Sequence, residues 1–89
     1  MIDKYAHLKD RIARRDLTVT LDDLRDVAAQ YPQDTAVILG KRVSSEGPQY
    51  GYELIILIVR SAKPITIMTR RESQNYTCAN FGVKKIARI

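Results

Sequence analysis

Apolar residues change their spacing along this chain near residue 35. Before that point they recur every three or four positions: Tyr5, Leu8 and Ile12 in one run, then Leu21, Leu24, Val27, Ala28 and Tyr31 in another. That spacing puts side chains on one face of a 3.6-residue helix. A first helix is expected over about residues 2–15, with Asp3 early and Arg14 and Arg15 late, an order that suits the helix dipole. The β-branched stretch "DLTVT" (16–20) interrupts it. Thr20, followed three residues later by Asp23, reads as the N-cap of a second helix, and Pro32 marks that helix's end.

From Thr35 the pattern becomes that of strands, rich in Val, Ile and Thr. "TAVILGKRV" (35–43) is a strand and "SSEGPQ" a loop. "YGYELIILIVR" (50–60) is a long strand whose continuous apolar centre requires cover on both faces, so it belongs in the middle of a sheet. "SAKP" turns the chain into "ITIMTRR" (65–71), antiparallel because the connection is so short. In the tail, Phe81, Val83, Ile86 and Ile89 fit neither period cleanly; "FGVKKIARI" is read as a strand, with a short helix as the alternative. The fold class expected is α+β: two N-terminal helices packed on a three- to four-stranded antiparallel sheet. Residues 1–89 form one domain, with 1–32 helical, 33–89 the sheet part and 73–80 a polar loop.

Composition narrows the function classes. Cys78 is the single cysteine, so no internal disulfide forms. The opening "MIDKYAHLKD" has no apolar signal core, and the longest apolar run, "LIILIV", is six residues, too short for a bilayer. A cytoplasmic protein without a membrane partner is expected. One His and one distant Cys make no metal site, and the four glycines form no phosphate-binding loop, so neither metal nor cofactor is expected. The net charge of +5 is unevenly spread. Residues 1–40 hold six Lys/Arg against seven Asp, whereas residues 41–89 hold nine Lys/Arg against three Glu. A basic C-terminal half points to an anionic partner.

The residues that could meet such a partner fall in three places. His7, Arg11 and Arg14 share a narrow arc of the first helix, and Arg15 lies beyond Arg11 toward the apolar stripe. Guanidinium groups hold phosphate oxygens through forked hydrogen bonds, and an imidazole exchanges protons near neutral pH. On spacing alone the same stretch reads as a solvated face laced by pairs such as Asp10–Arg14. In "ITIMTRR", alternation puts Ile65, Ile67 and Thr69 on one face, with Arg71 next, and Thr66, Met68 and Arg70 on the other. Tyr50, Tyr52 and Tyr76 could stack on bases or simply pack. The nucleic-acid contacts expected are Lys41, Arg42, Arg70, Arg71, Tyr76, Lys84 and Lys85.

"HLKDRIARRDL" (7–17) resembles the opening of a family of small bacterial and phage domains of unknown function, which begins H-A-x-x-R-M-x-x-R-G-I. The pattern falls on His7, Arg11, Arg15 and Leu17, while "VTLDDLRDVAAQYP" resembles the family's second helix and "YELIILIVRSAKPITIMTRR" its closing hairpin. Asp16 stands where that family has glycine, and Met68 where an aromatic is common. The family is grouped with the barnase/EndoU/colicin/RelE-like fold. The resemblance implies a metal-independent, toxin-type ribonuclease: His7 as acid or base, Arg11 and Arg15 stabilising charge on the phosphate, and Thr69 orienting it from the sheet. RNA is then the substrate, and a neutralising antitoxin or immunity protein a partner. Two other readings stay open: a non-catalytic nucleic-acid-binding module, and a protein-interaction module whose basic face docks on an acidic partner. The catalytic reading requires His7, Arg11, Arg15 and Thr69 to meet on one concave patch; Arg14 is expected to be a bystander.

Overall fold

The computed structural model describes residues 3–89. Helices α1 (Ala6–Arg14) and α2 (Leu21–Ala28) come first, followed by strands β1 (Thr35–Val43), β2 (Tyr52–Arg60) and β3 (Lys63–Arg71). A short helix α3 (Cys78–Phe81) and strand β4 (Lys85–Arg88) close the chain. The sheet order is β3-β2-β1-β4. The class is α+β, with α1 and α2 packed on one face of the sheet. β1–β2 and β2–β3 are antiparallel, as expected. β4 departs from that expectation: it pairs with β1 in parallel, because the chain crosses the sheet's second face before it returns. No helix among the described residues is long and apolar enough to cross a membrane.

The first helix stops in a way that matters for the site. Its end is a Schellman motif: Leu17 N–H donates to Ile12 O at 3.0 Å and Asp16 N–H to Ala13 O at 3.2 Å. Leu17 and Ile12 both pack into the core beneath, the apolar contact that accompanies this motif. The motif needs a left-handed residue at Asp16, whose φ is +51°. Glycine suits that position best, though aspartate tolerates it better than most. The second helix is capped as its sequence predicts: Asp23 N–H donates to Thr20 Oγ1 at 3.1 Å, and Thr20 N–H to Asp23 Oδ2 at 3.2 Å. The β2–β3 hairpin turns on Ser61 and Ala62, both at positive φ (52° and 62°), as a two-residue type I′ turn requires.

Leu57 and Val59 from β2 meet Val37, Ile67, Leu8, Leu24 and Ala28 under the helices. The opposite face carries Leu54, Ile56 and Ile58 with Ala36 and Ile38. Its cover is the C-terminal segment, through Val83 with Tyr76, Phe81 and Ile86. Arg60 ties that segment down, donating to Asp34 Oδ2 at 2.9 Å and to Gly82 O at 3.1 Å. The polar loop expected over 73–80 is thus shorter, with Cys78–Asn80 helical.

Two bulges break strict alternation. On β3 the register slips between the Ile58↔Thr66 and Val59↔Pro64 pairs, leaving Ile65 unpaired and exposed rather than stacked with Ile67. On β1 it slips between Ile38↔Ile56 and Gly40↔Ile55. Counted by twos, Arg42 would share the face of Ile38; the extra residue transfers it to the helix face, opposite Glu53.

Candidate nucleic-acid interface

That transfer brings Arg42 beneath the end of α1. Its Nε donates to Glu53 Oε1 at 2.7 Å, and its Nη1 donates to the main-chain oxygen of Arg15 at 2.6 Å. The second bond satisfies a carbonyl that the terminating helix leaves without a partner. The Schellman turn and the β1 bulge therefore join two arginines 27 positions apart. Around them lies an open cleft of about 460 Å³, lined by Arg14, Arg15, Asp16, Arg42, Ser45 and Thr69 among others.

The electrostatics of this cleft are one-sided. Burial pushes the Arg15 guanidinium below its ordinary pKa, and the nearby Arg11, Arg70 and Arg42 cations push it the same way; Glu53 partly offsets them. Arginine stays protonated under such pressure, so the cost remains as repulsion. Arg15 Nε is buried with no hydrogen-bond partner. Among the described residues Arg42 is paired with Glu53, Arg14 with Asp10 (2.9 Å) and Arg71 with Glu46 (3.1 Å), whereas Arg11, Arg15 and Arg70 are in no ion pair. Asp16 is the carboxylate on the cleft wall. A phosphate here would meet free guanidinium N–H donors and the hydroxyls of Ser45 and Thr69.

Of the four residues expected to converge, Arg15 and Thr69 do so at the cleft, with Arg11 close enough to Arg15 to repel it. His7 stands apart from them. Its Nε2 is 2.9 Å from Thr66 Oγ1, a hydrogen bond across the free edge of β3. From His7 to Arg15 is eight helical residues, about 12 Å of rise. Thr66 to Thr69 is about 10 Å along the strand. Thr66 and Thr69 lie on opposite faces of β3, so the two sites are separate, and Arg11 stands between them along α1. Arg14, expected as a bystander, does line the cleft, although its Nε is engaged by Asp10.

The other expected contacts are dispersed. Neither Arg70 nor Arg71 lines the cleft: Arg70 pairs with Leu54 and so lies on the other face of β3, its Nη1 donating to Thr69 O at 2.8 Å, near enough to Arg15 to repel it, and Arg71 lies under the Tyr50 ring, 5.4 Å from its centroid. Lys41 is on the opposite face, paired with Glu72 at 3.0 Å and over the Tyr52 ring. Tyr76 packs against Phe81 and donates to Arg71 O at 2.8 Å, so its ring belongs to the tail's core. Lys84 and Lys85 lie at the far end of the sheet, where Lys85 pairs with Thr35, some seven residues and roughly 23 Å along β1 from Arg42. Sequence reasoning missed Ser45, Asp16, Glu53 and the role of Thr66. The Arg-Asp-Leu run at the helix end was the available signal for Asp16, since a left-handed cap is what glycine normally marks.

Among the described residues no group of three or more His, Cys, Asp or Glu could hold a metal ion. Family models, curated proteins and solved structures were compared with this chain, and none matches.

Proposed function

We propose that this chain binds the phosphodiester backbone of RNA in the cleft where α1 ends. The observation that carries this reading is the Arg11–Arg15–Arg70 cluster: three cations without carboxylate partners, one with a buried, unsatisfied N–H. Holding like charges together costs free energy that an anion returns. A guanidinium fork matches phosphate geometry better than an ammonium does. RNA, rather than another polyanion, is named because the α1 pattern resembles ribonuclease-type domains. The test is affinity for an RNA oligonucleotide over a range of salt. Binding should weaken steeply as salt rises, and Arg15→Ala with Arg70→Ala should cut affinity about tenfold or more and flatten the salt slope by about 1.4. Lys84→Ala with Lys85→Ala should change it little. Equal binding by the wild type and the Arg15/Arg70 variant would overturn the proposal.

A second reading, metal-independent cleavage of that RNA, is favoured by the His7–Thr66 hydrogen bond, which fixes the imidazole at the free edge of β3, about two helical turns along α1 from the cleft. The 2′-oxygen attacks phosphorus and the bond to the 5′-oxygen breaks; His7 either takes the proton of the 2′-hydroxyl while water protonates the departing 5′-oxygen, or protonates that oxygen while water takes the 2′-hydroxyl proton. Arg11, one helical turn away, would stabilise the added phosphate charge. A neutralising acidic antitoxin or immunity protein follows from this reading. Purified protein should then cleave RNA in the presence of chelator, and His7→Ala should abolish cleavage while retaining RNA affinity; intact RNA in the wild-type reaction counts against it.

A further inference from the structure

The β1–β2 loop (44–51) supplies Ser45 to the cleft and, five residues later, carries an exposed aromatic ring, Tyr50. The loop is held by its own bonds. Ser44 N–H donates to Gly51 O at 2.9 Å, Tyr50 N–H to Gly47 O at 3.1 Å, and Glu46 pairs with Arg71. Gly47 and Gly51, at φ of +126° and +77°, close it. The single 3-10 turn Pro48–Tyr50 then sets Tyr50 over the Arg71 guanidinium, with 48% of the residue exposed. An aromatic ring backed by a cation and fixed by a locked loop loses little freedom when a base lies on it.

Arg71 is two residues beyond Thr69 on the same strand face, about 7 Å away, and Ser45 neighbours Glu46, the partner of Arg71. The ring therefore stands over a residue about one nucleotide step along β3 from Thr69, which lines the cleft. We propose that Tyr50, backed by Arg71, is a stacking platform for one unpaired base, so that the domain takes single-stranded rather than duplex RNA. The inference rests on the reading that the cleft holds a phosphate. In a duplex the base faces are occupied by their neighbours, and only an unpaired base offers one to a side chain. Tyr52 is the built-in contrast: it is equally exposed at 47%, yet lies over Lys41 on the other face, away from the cleft.

The experiment compares a uridine-rich RNA oligonucleotide with an RNA duplex of equal length, at one salt concentration and then across several. Single strand should bind at least tenfold more tightly. Tyr50→Ala should lower single-strand affinity about tenfold and leave both duplex affinity and the salt slope unchanged. Tyr50→Leu, which keeps apolar bulk without a π-face, should behave like Tyr50→Ala, Tyr50→Phe like the wild type, and Tyr52→Ala like the wild type. Circular dichroism on each variant confirms that the fold is kept. If the Tyr50 variants bind the single strand normally while Arg15→Ala/Arg70→Ala loses it, the platform is wrong and the phosphate cleft stands. If the wild type binds neither RNA, the phosphate reading fails, and the platform with it.

Discussion

The two faces of the central sheet share one apolar core strategy and differ in what they do with charge. On the helix face, Leu57, Val59 and Ile67 lie under two helices, and the sheet end beyond them carries arginines whose repulsion is not cancelled. On the other face, Ile56, Ile58 and Leu54 lie under a tail that contributes one buried residue of its own, Val83. The nearby lysine there, Lys41, is neutralised by Glu72 and covered by no cleft of like charges. The number of basic residues is therefore a poor guide to an anion site. What distinguishes the helix side is that Arg11 and Arg15, joined by Arg70 from the other face of the edge strand, are held near one another without counter-ions. The fold tolerates this because the helix above and the bulged strand below are anchored elsewhere.

Deletions in the two cores should show the largest difference between the faces. Leu57→Ala should cost about 3–4 kcal/mol, because a fully buried side chain leaves a cavity that two helices and a sheet cannot fill. Val83→Ala should cost only about 1–1.5 kcal/mol, because the tail can settle onto the sheet. Urea titration of both variants measures it; equal losses would mean the tail is as rigid a cover as the helices. Next in size is Glu53→Gln. Weakening the part-buried pair with Arg42 should cost about 2 kcal/mol, while freeing a fourth arginine should raise RNA affinity severalfold. Stability and affinity thus move in opposite directions, read by thermal unfolding and by fluorescence anisotropy on one preparation.

Smaller effects follow from the left-handed positions. Ser61→Asn with Ala62→Gly gives the hairpin the residues its turn prefers, and should add about 1 kcal/mol, a rise of roughly 4–8 °C in Tm, without touching RNA binding. Asp16→Gly should add about 0.5–1 kcal/mol at the helix end and, by removing the cleft's carboxylate, strengthen RNA binding as well. A variant that is stabilised but binds no better would show that Asp16 is screened from the cleft's ligand.

Much of the architecture was legible in the chain. Thr20 and Asp23 announced their capping box, the β1 boundaries at Thr35 and Val43 followed the β-branched run, and the apolar centre of β2 required cover on both faces. The tail was not legible as that cover. Its apolar residues are spread over a turn, a four-residue helix and a four-residue strand, too short for either period to emerge. Parallel pairing of β4 was invisible for the same reason: direction depends on the path across the second face, and local spacing does not encode it.

The candidate site divides along the same line. His7, Arg11 and Arg15 form a row because they lie on one helix at intervals of four, a matter of local geometry that the sequence determines by itself. Which other residues join them was decided by tertiary structure. A single extra residue on β1 inverts the alternation that would have left Arg42 on the far face with Ile38. Similarly, the edge position of β3 lets His7 meet Thr66 instead of Thr69. The physical reason is that a strand's side-chain period is two, so one inserted residue exchanges its faces; whether an insertion is absorbed as a bulge depends on the pairing of the neighbouring strand, here β2, whose continuous apolar run fixes its own register from both sides.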